Sequence, residues 1–334
     1  MSKEETQILK GVGILLMLFY HLFFMKQNVE QCSSFFYING VGLVNYISRM
    51  ANPVPIFMML SGYGLYAVYK KGDKHRWSRL LKLMIHYWLI LLIFVSIGLF
   101  LYPNKYPGSI SNIISNITAF HTTYNGEHWF IFPYILLAIS SPFIFKACDK
   151  YNISYVLGIS FILYLGSCFL ISRYGDRYLF TNMLVYHPVL YCSLLFDFIL
   201  GAIACKCGWL NRSNHKILRQ WAWGILLSLC IIRCLFTTGA FHNLFLFAFI
   251  WIWQQTTRPK WIDKALAHLG KQSMNMWLIH TFFCYYLFHD WIYGFKYPLV
   301  IFTVLIIVSY VSSHIINLFF LLLFSRLVKT THIK

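Results

Sequence analysis

Acidic charge is what this sequence lacks most. Ten Asp and Glu stand against 28 Lys and Arg in 334 residues, and charged residues of both signs make up only 11%. With 59% apolar residues, so little charge points away from a soluble domain and toward a membrane chain. Strand-type alternation is absent as well, which argues against a β-barrel. The nine cysteines lie mostly in or beside apolar runs and form neither a disulfide framework nor a zinc spacing. Cys205-x-Cys207 is a short pair that reads as structural, and no metal site is expected. No cleavable signal peptide is visible either. Residues 1–10 are polar and mixed in charge, and the next stretch is of full membrane length.

What the sequence has is apolar runs from end to end. The fold class is all-α, a polytopic integral membrane protein with about ten transmembrane helices in one bundle. The spans are placed at 8–26, 53–70, 79–102, 128–147, 153–172, 186–206, 218–236, 240–257, 271–290 and 298–325. Residues 1–334 are read as one integral membrane domain without a fused soluble domain or an internal repeat. The cations cluster in short loops, where they set topology rather than bind nucleic acid. With the N-terminus inside, 21 Lys and Arg fall on the inner side and seven on the outer. That bias places both termini in the cytoplasm, with the chain crossing the inner (plasma) membrane repeatedly. The longest outer segments are 27–52 and 103–127; the second is rich in Ser, Asn and Thr and is expected to lie along the interface or cap a cavity.

A few polar residues interrupt the apolar runs. Lys10 and His21 are eleven positions apart on the first span, about three turns, so they share a face about 16 Å apart along the axis. This puts Lys10 at the membrane surface and His21 near mid-depth. An intramembrane histidine is either a functional group or a packing partner hydrogen-bonded to a neighbouring helix. Ser61-Gly62 on the second span allows close helix approach, or forms a wall for a ligand chain. Arg76, Arg79 and Lys82 open the third span on one face, suited to topology, lipid phosphate or a phosphate-bearing ligand.

Glu127-His128-Trp129-Phe130 opens the fourth span at the outer side. An acidic residue there suits a helix N-terminus, or it orients an imidazole or binds a polar substrate. Asp197, in the middle of the sixth span, must be neutral or paired and is expected to be structural. Ser273, Trp277 and His280 form an inward stripe at i, i+4 and i+7 on the ninth. His280 reads either as a hydrogen-bonding partner or as part of a site. His86 and His314 are weaker cases of the same kind.

Together these residues resemble acyltransferase family 3, a family of membrane-bound acyltransferases with about ten helices. Lys10 to His21 is similar to its first-helix pattern of a basic residue and a histidine, with Lys in place of the commoner Arg. Pro55-Ile56-Phe57-Met58-Met59-Leu60-Ser61-Gly62-Tyr63 looks like its second-helix motif, Arg76 to Arg79 like its basic third-helix start, and His128-Trp129-Phe130 like its fourth-helix opening. Ser273 through Leu278-Ile279-His280 looks like its late Ser…Leu-Ile-His stretch. The Lys for Arg change keeps a cation but loses the bidentate fork.

The resemblance implies transfer of an acyl group, usually acetyl, from cytoplasmic acetyl-coenzyme A to a hydroxyl of an extracytoplasmic or lipid-linked glycan. It implies His21, Glu127, His128 and His280 as the catalytic set, with His21 as general base and His280 and Ser61 as candidates for oxyanion stabilisation. An acyl-histidine intermediate is the variant of that chemistry. Lys10, Arg76, Arg79 and Ser61 are the expected donor-binding residues, with no metal. The expected partners are the glycan or lipid-linked sugar, membrane lipid and a second copy of the chain, and no nucleic acid. The competing reading is a transporter or flippase of a lipid-linked sugar, which would release no free coenzyme A. Against it stand the missing repeat and the cations gathered at one mouth.

Overall fold

Every predicted span falls on a helix in the computed structural model, which describes residues 1–72, 76–212, 216–236 and 239–332, with side chains for all of these except Arg76 and 324–332. The helices are α1 (Lys3–Phe23), α2 (Lys26–Glu30), α3 (Leu43–Ser48), α4 (Val54–Lys70), α5 (Arg76–Leu101), α6 (Ile110–Ile117) and α7 (Ile131–Lys150). They continue with α8 (Ile153–Tyr174), α9 (Met183–Cys207), α10 (Lys216–Leu235), α11 (His242–Gln255), α12 (Lys260–Thr281), α13 (His289–Tyr293) and α14 (Pro298–His332). A two-stranded antiparallel hairpin, β1 (Tyr37–Ile38) and β2 (Val41–Gly42), turns on Asn39 and Gly40 at φ of 49° and 76°. Asn-Gly with both residues left-handed is the favoured two-residue hairpin turn.

Among the described residues, seven helices are long and apolar enough to cross a membrane: α1, α5, α7 with the turn before it, α8 with the turn after it, α9, α10 and α14. The other three predicted spans fall short of that measure. Helix α4 has 17 residues and α11 has 14, and α12 carries Lys260, Asp263, Lys264 and Lys271. Boundaries moved where local chemistry extends or stops a helix. Helix α1 starts at Lys3 because Ser2 and Glu5 form a capping box: Glu5 N–H donates to Ser2 Oγ at 3.1 Å and Ser2 N–H to Glu5 Oε2 at 2.5 Å. It ends at Phe23, which puts His21 in its last turn.

The chain divides into two units. The first comprises Met1–Gly13, Arg49–Lys74 and Phe132–Gly270. Glycine governs its helix packing. A Cβ on Gly62 would stand 1.9 Å from the Phe198 carbonyl oxygen, and one on Gly201 1.9 Å from that of Met59, so α4 and α9 meet backbone to backbone. The close approach expected at Ser61-Gly62 is therefore present. Gly11 and Gly270 make the same reciprocal contact between α1 and α12, against the Leu266 and Gln7 carbonyls. Asp149 of α7 accepts from Tyr66 at 2.5 Å and from Lys70 at 3.2 Å, both on α4. Asp197 is 2% exposed on α9, beside Asn243, with Oδ1 unpartnered.

The second unit comprises Ile14–Ser48, His75–Ile131 and Lys271–Lys334. Its 103–125 segment is tied down by Asn116, whose side chain donates to Thr123 Oγ1 at 2.8 Å and accepts from Tyr124 N–H at 3.0 Å. Tyr87 of α5 donates to the Asn116 carbonyl at 2.6 Å. Ile110, Ile114 and Ile117 of α6 form an exposed apolar stripe. Burial raises the Tyr124 phenol above its ordinary pKa.

Candidate active site

Helix α1 ends without a left-handed capping residue, so its last carbonyls need other partners. Side chains supply them. Tyr285 donates to the His21 carbonyl, Tyr293 to that of Leu22 at 2.9 Å, and Asn45 to those of Phe23 and Phe24 at 2.9 and 2.8 Å. The turn that carries His21 is thus fixed by three residues far from it in sequence.

His21 joins two of the residues proposed with it. Its Nδ1 lies 2.7 Å from His280 Nε2, and its Nε2 lies 3.3 Å from Glu127 Oε2. His280 is fully buried, and its Nδ1 lies 2.7 Å from the Trp277 carbonyl oxygen. A carbonyl only accepts, so His280 Nδ1 carries a hydrogen. Neutral His280 then presents Nε2 as an acceptor, and His21 Nδ1–H donates to it. The chain of bonds leaves His21 Nε2 as the ring atom available for chemistry, facing a carboxylate. His21 is 13% exposed at its side chain and Glu127 25%, so the pair remains partly accessible while the histidine behind it is sealed.

Glu127 sits on a 3-10 turn, Gly126–Phe130, that precedes α7. Asn125 caps this turn: its Oδ1 accepts from Glu127 N–H at 3.1 Å. The Asn125 amide also pairs with the Thr281 hydroxyl, at 2.8 Å for Nδ2 and 3.0 Å for Oδ1. Thr281 follows His280 directly. One buried Asn–Thr pair therefore links the turn bearing Glu127 to the turn bearing His280. Tyr286 accepts from Gly126 N–H at 2.8 Å, and Lys105 lies 4.8 Å from the Tyr286 ring. Burial lowers the Lys105 ammonium below its ordinary pKa.

The other predicted residues are placed differently. His128 is fully buried; its Nε2 donates to the Leu278 carbonyl at 2.7 Å and its ring meets Tyr87 edge-on at 5.3 Å. Ser273 is buried and Trp277 half-buried, as the inward stripe required. Arg79 is exposed near the start of α5 in the second unit. The Arg76 side chain lies outside those described. Lys10 and Ser61 are half-buried members of the first unit. Asn125, Thr281, Tyr285, Tyr293 and Asn45 had not been read as site residues from the sequence. Asn125 alone had a local signal, an N-cap residue just before Gly126-Glu127.

The chain matches an acyltransferase domain family, acyltransferase 3, over residues 5–318, nearly its whole length. It belongs to that family and is a membrane acyltransferase. No curated protein and no solved structure matches it.

Proposed function

We propose that this acyltransferase carries an acetyl group from cytoplasmic acetyl-coenzyme A to a hydroxyl of an extracytoplasmic or lipid-linked glycan. It does so in the inner membrane with both termini in the cytoplasm. The observation that supports this reading best is the chain Trp277 carbonyl–His280–His21–Glu127, which aims one histidine nitrogen at a partly open position. With its hydrogen on Nδ1, neutral His21 has none on Nε2 to give Glu127 at 3.3 Å, so Nε2 is free to accept from a substrate hydroxyl. His21 Nε2 takes the hydroxyl proton as the acceptor oxygen bonds to the thioester carbon. The C–S bond then breaks, and the proton passes from His21 to the departing thiolate.

Glu127 stabilises the imidazolium in between. His280 has its ring hydrogen committed to Trp277, so we assign it to hold the His21 tautomer rather than to an oxyanion hole. Lys10, Arg76 and Arg79 remain the proposed contacts of the donor phosphates and Ser61 a wall of the site, with no metal. A second copy of the chain and membrane lipid remain the other proposed partners.

The purified protein, given acetyl-coenzyme A and a surface-glycan fraction, should release free coenzyme A and add an acetyl-sized mass increment to the glycan. An absent increment together with no thiol release would reject the assignment. An increment larger than acetyl would correct the acyl group and keep the reaction.

A further inference from the structure

One cation of the second unit is held beside the site without an anion to meet it. Lys105 and Glu127 are the only charged residues between positions 103 and 127. The Lys105 ammonium lies 4.8 Å from the centre of the Tyr286 ring and 5.5 Å from that of Tyr106. A ring face attracts a cation but gives its N–H groups no oxygen to bond. Among the described residues, no carboxylate lies within ion-pair distance of Lys105 and no oxygen accepts from its ammonium. Glu127 faces His21 instead. Burial alone lowers the Lys105 pKa, with no negative charge to raise it again. The ammonium is therefore ordered, partly dehydrated and short of a counter-charge.

Its position is built from both sides. Lys105 N–H donates to the Tyr102 carbonyl at 3.0 Å. Tyr106, the next residue, is 1% exposed, and its ring packs over Gly98 of α5, where a Cβ would stand 2.6 Å from it. The Tyr106 hydroxyl donates to the Tyr124 carbonyl at 3.1 Å, and that of Tyr124 to the Pro107 carbonyl at 2.6 Å. The backbone around Lys105 is thus pinned while Lys105 itself stays exposed. On the other side, Tyr286 joins it to the reacting groups. The Tyr286 hydroxyl accepts from Gly126 N–H at 2.8 Å, so closely that a Cβ on Gly126 would stand 2.9 Å from it. Glu127 is the next residue. Tyr285, just before Tyr286, donates to the His21 carbonyl. The ammonium therefore stands over the step of chain that fixes His21 and abuts the Glu127 turn, one ring away from it.

A sugar whose hydroxyl meets His21 Nε2 has its own substituents, or those of the neighbouring sugar, within reach of an ammonium so placed. We infer that Lys105 binds an acidic group of the acceptor, a carboxylate or a phosphate, and makes this enzyme selective for anionic glycans. This rests on the glycan acceptor proposed above. The acidic group supplies both things that Lys105 lacks: oxygens for its three N–H groups and a counter-charge. A neutral acceptor supplies no counter-charge. Glu127 adds direction, because its carboxylate repels an acidic substituent while Lys105 draws it. The sugar is thereby turned with its hydroxyl toward His21 and its acid toward Lys105. Lys105 touches none of the reacting atoms, so its part is in acceptor binding and selectivity.

Acyl transfer by the full-length protein in detergent tests this on surface glycan split by anion exchange into a neutral and an acidic pool. A third sample is the acidic pool neutralised, with its carboxyls converted to methylamides and its phosphates removed by phosphatase. Wild type should use the acidic pool best, and neutralising it should lower kcat/KM about 5- to 10-fold, above an exposed ion pair and below a buried one. Whichever treatment alone gives the loss names the acid. Lys105→Gln should lose the same factor on the acidic pool and nothing on the neutralised one, with the KM for acetyl-coenzyme A unchanged. Lys105→Arg, which keeps the charge, should retain the preference. Equal losses by Lys105→Gln on both pools would overturn the inference and leave Lys105 a brace for Tyr286. Equal use of both pools by wild type would overturn it as well, with the glycan acceptor standing. A wild-type protein that acylates none of the pools would overturn the glycan acceptor and the role of Lys105 together.

Discussion

Two carboxyl groups, Glu127 at the start of one apolar span and Asp197 in the middle of another, are treated in opposite ways. Glu127, in the second unit, sits at a helix start with its backbone capped by Asn125, and its carboxylate faces His21. Asp197, in the first unit, lies in the middle of α9 with Oδ1 unpartnered and no exposed surface to speak of. From the sequence, Asp197 was the costly position, while Glu127 suited a helix start at the outer side. The difference lies in the partner. Glu127 has a base beside it and an opening to substrate, while Asp197 has an amide neighbour and is enclosed. Burial of a charge-bearing group therefore does not by itself mark chemistry; a titratable partner and access do.

The largest expected effect breaks this comparison at its active end. His21→Gln should lower acyl transfer by about 10²–10⁴-fold, the typical loss for a general base, while the protein still inserts and folds. Gln keeps a hydrogen bond to His280 but cannot take the proton. Near-normal transfer by a well-expressed His21→Gln variant would remove the general-base role and shift attention to His128. Glu127→Gln should also fall steeply in kcat, because the imidazolium loses its counter-charge. Thiol release in single-turnover assays measures both.

A smaller effect is expected one step back from the site. Thr281→Val keeps the side-chain shape and leaves the Asn125 amide buried without its partner, a loss of about 1–3 kcal/mol. If that loss is felt in the alignment of Glu127 and His280, kcat should drop on the order of tenfold with KM little changed. Loss of thermal stability with kcat preserved would make the pair a structural tie only. Arg79→Ala should do the reverse, raising the KM for acetyl-coenzyme A with little change in kcat, since the residue is placed far from the reacting atoms. A fall in kcat alone would reject its role in binding phosphate.

These contrasts also show why only part of the site could be read from the sequence. The helices were legible because apolar runs of membrane length leave few alternatives. His21, Glu127 and His280 stood out as polar groups inside apolar runs. What holds them did not, because it depends on contacts between residues distant in sequence, up to 156 and 271 apart for Asn125–Thr281 and Tyr293–Leu22. Tyr and Asn in an aromatic-rich chain carry no mark that they cap a distant helix. Local chemistry was readable in principle at three places: the Ser2–Glu5 box, the Asn39-Gly40 turn and the Asn125 cap. Each rests on residue types with a specific backbone preference. The early start of α12 at Lys260 was hidden for the opposite reason, since its first half is too polar to look like a span.

The smallest effect belongs to Asp197. Asn has nearly the same shape and cannot carry the charge, so Asp197→Asn tests whether that charge matters. The position has no cation-bearing partner at Oδ1, and the Asn243 side chain beside it can pair with an amide as readily as with a carboxyl. Replacing the carboxyl also removes the cost of holding an ionisable group away from water. Asp197→Asn should therefore keep acyl transfer within about threefold of wild type, well under the tenfold that 1.4 kcal/mol would produce. Its thermal midpoint in detergent should be unchanged or raised. Glu127→Gln, the same chemical change in the other unit, should fail in the same assay. Were Asp197→Asn to lose as much activity as Glu127→Gln while remaining folded, the distinction between a paired, accessible carboxyl and an enclosed one would no longer hold, and the first unit would need a catalytic or proton-carrying role of its own.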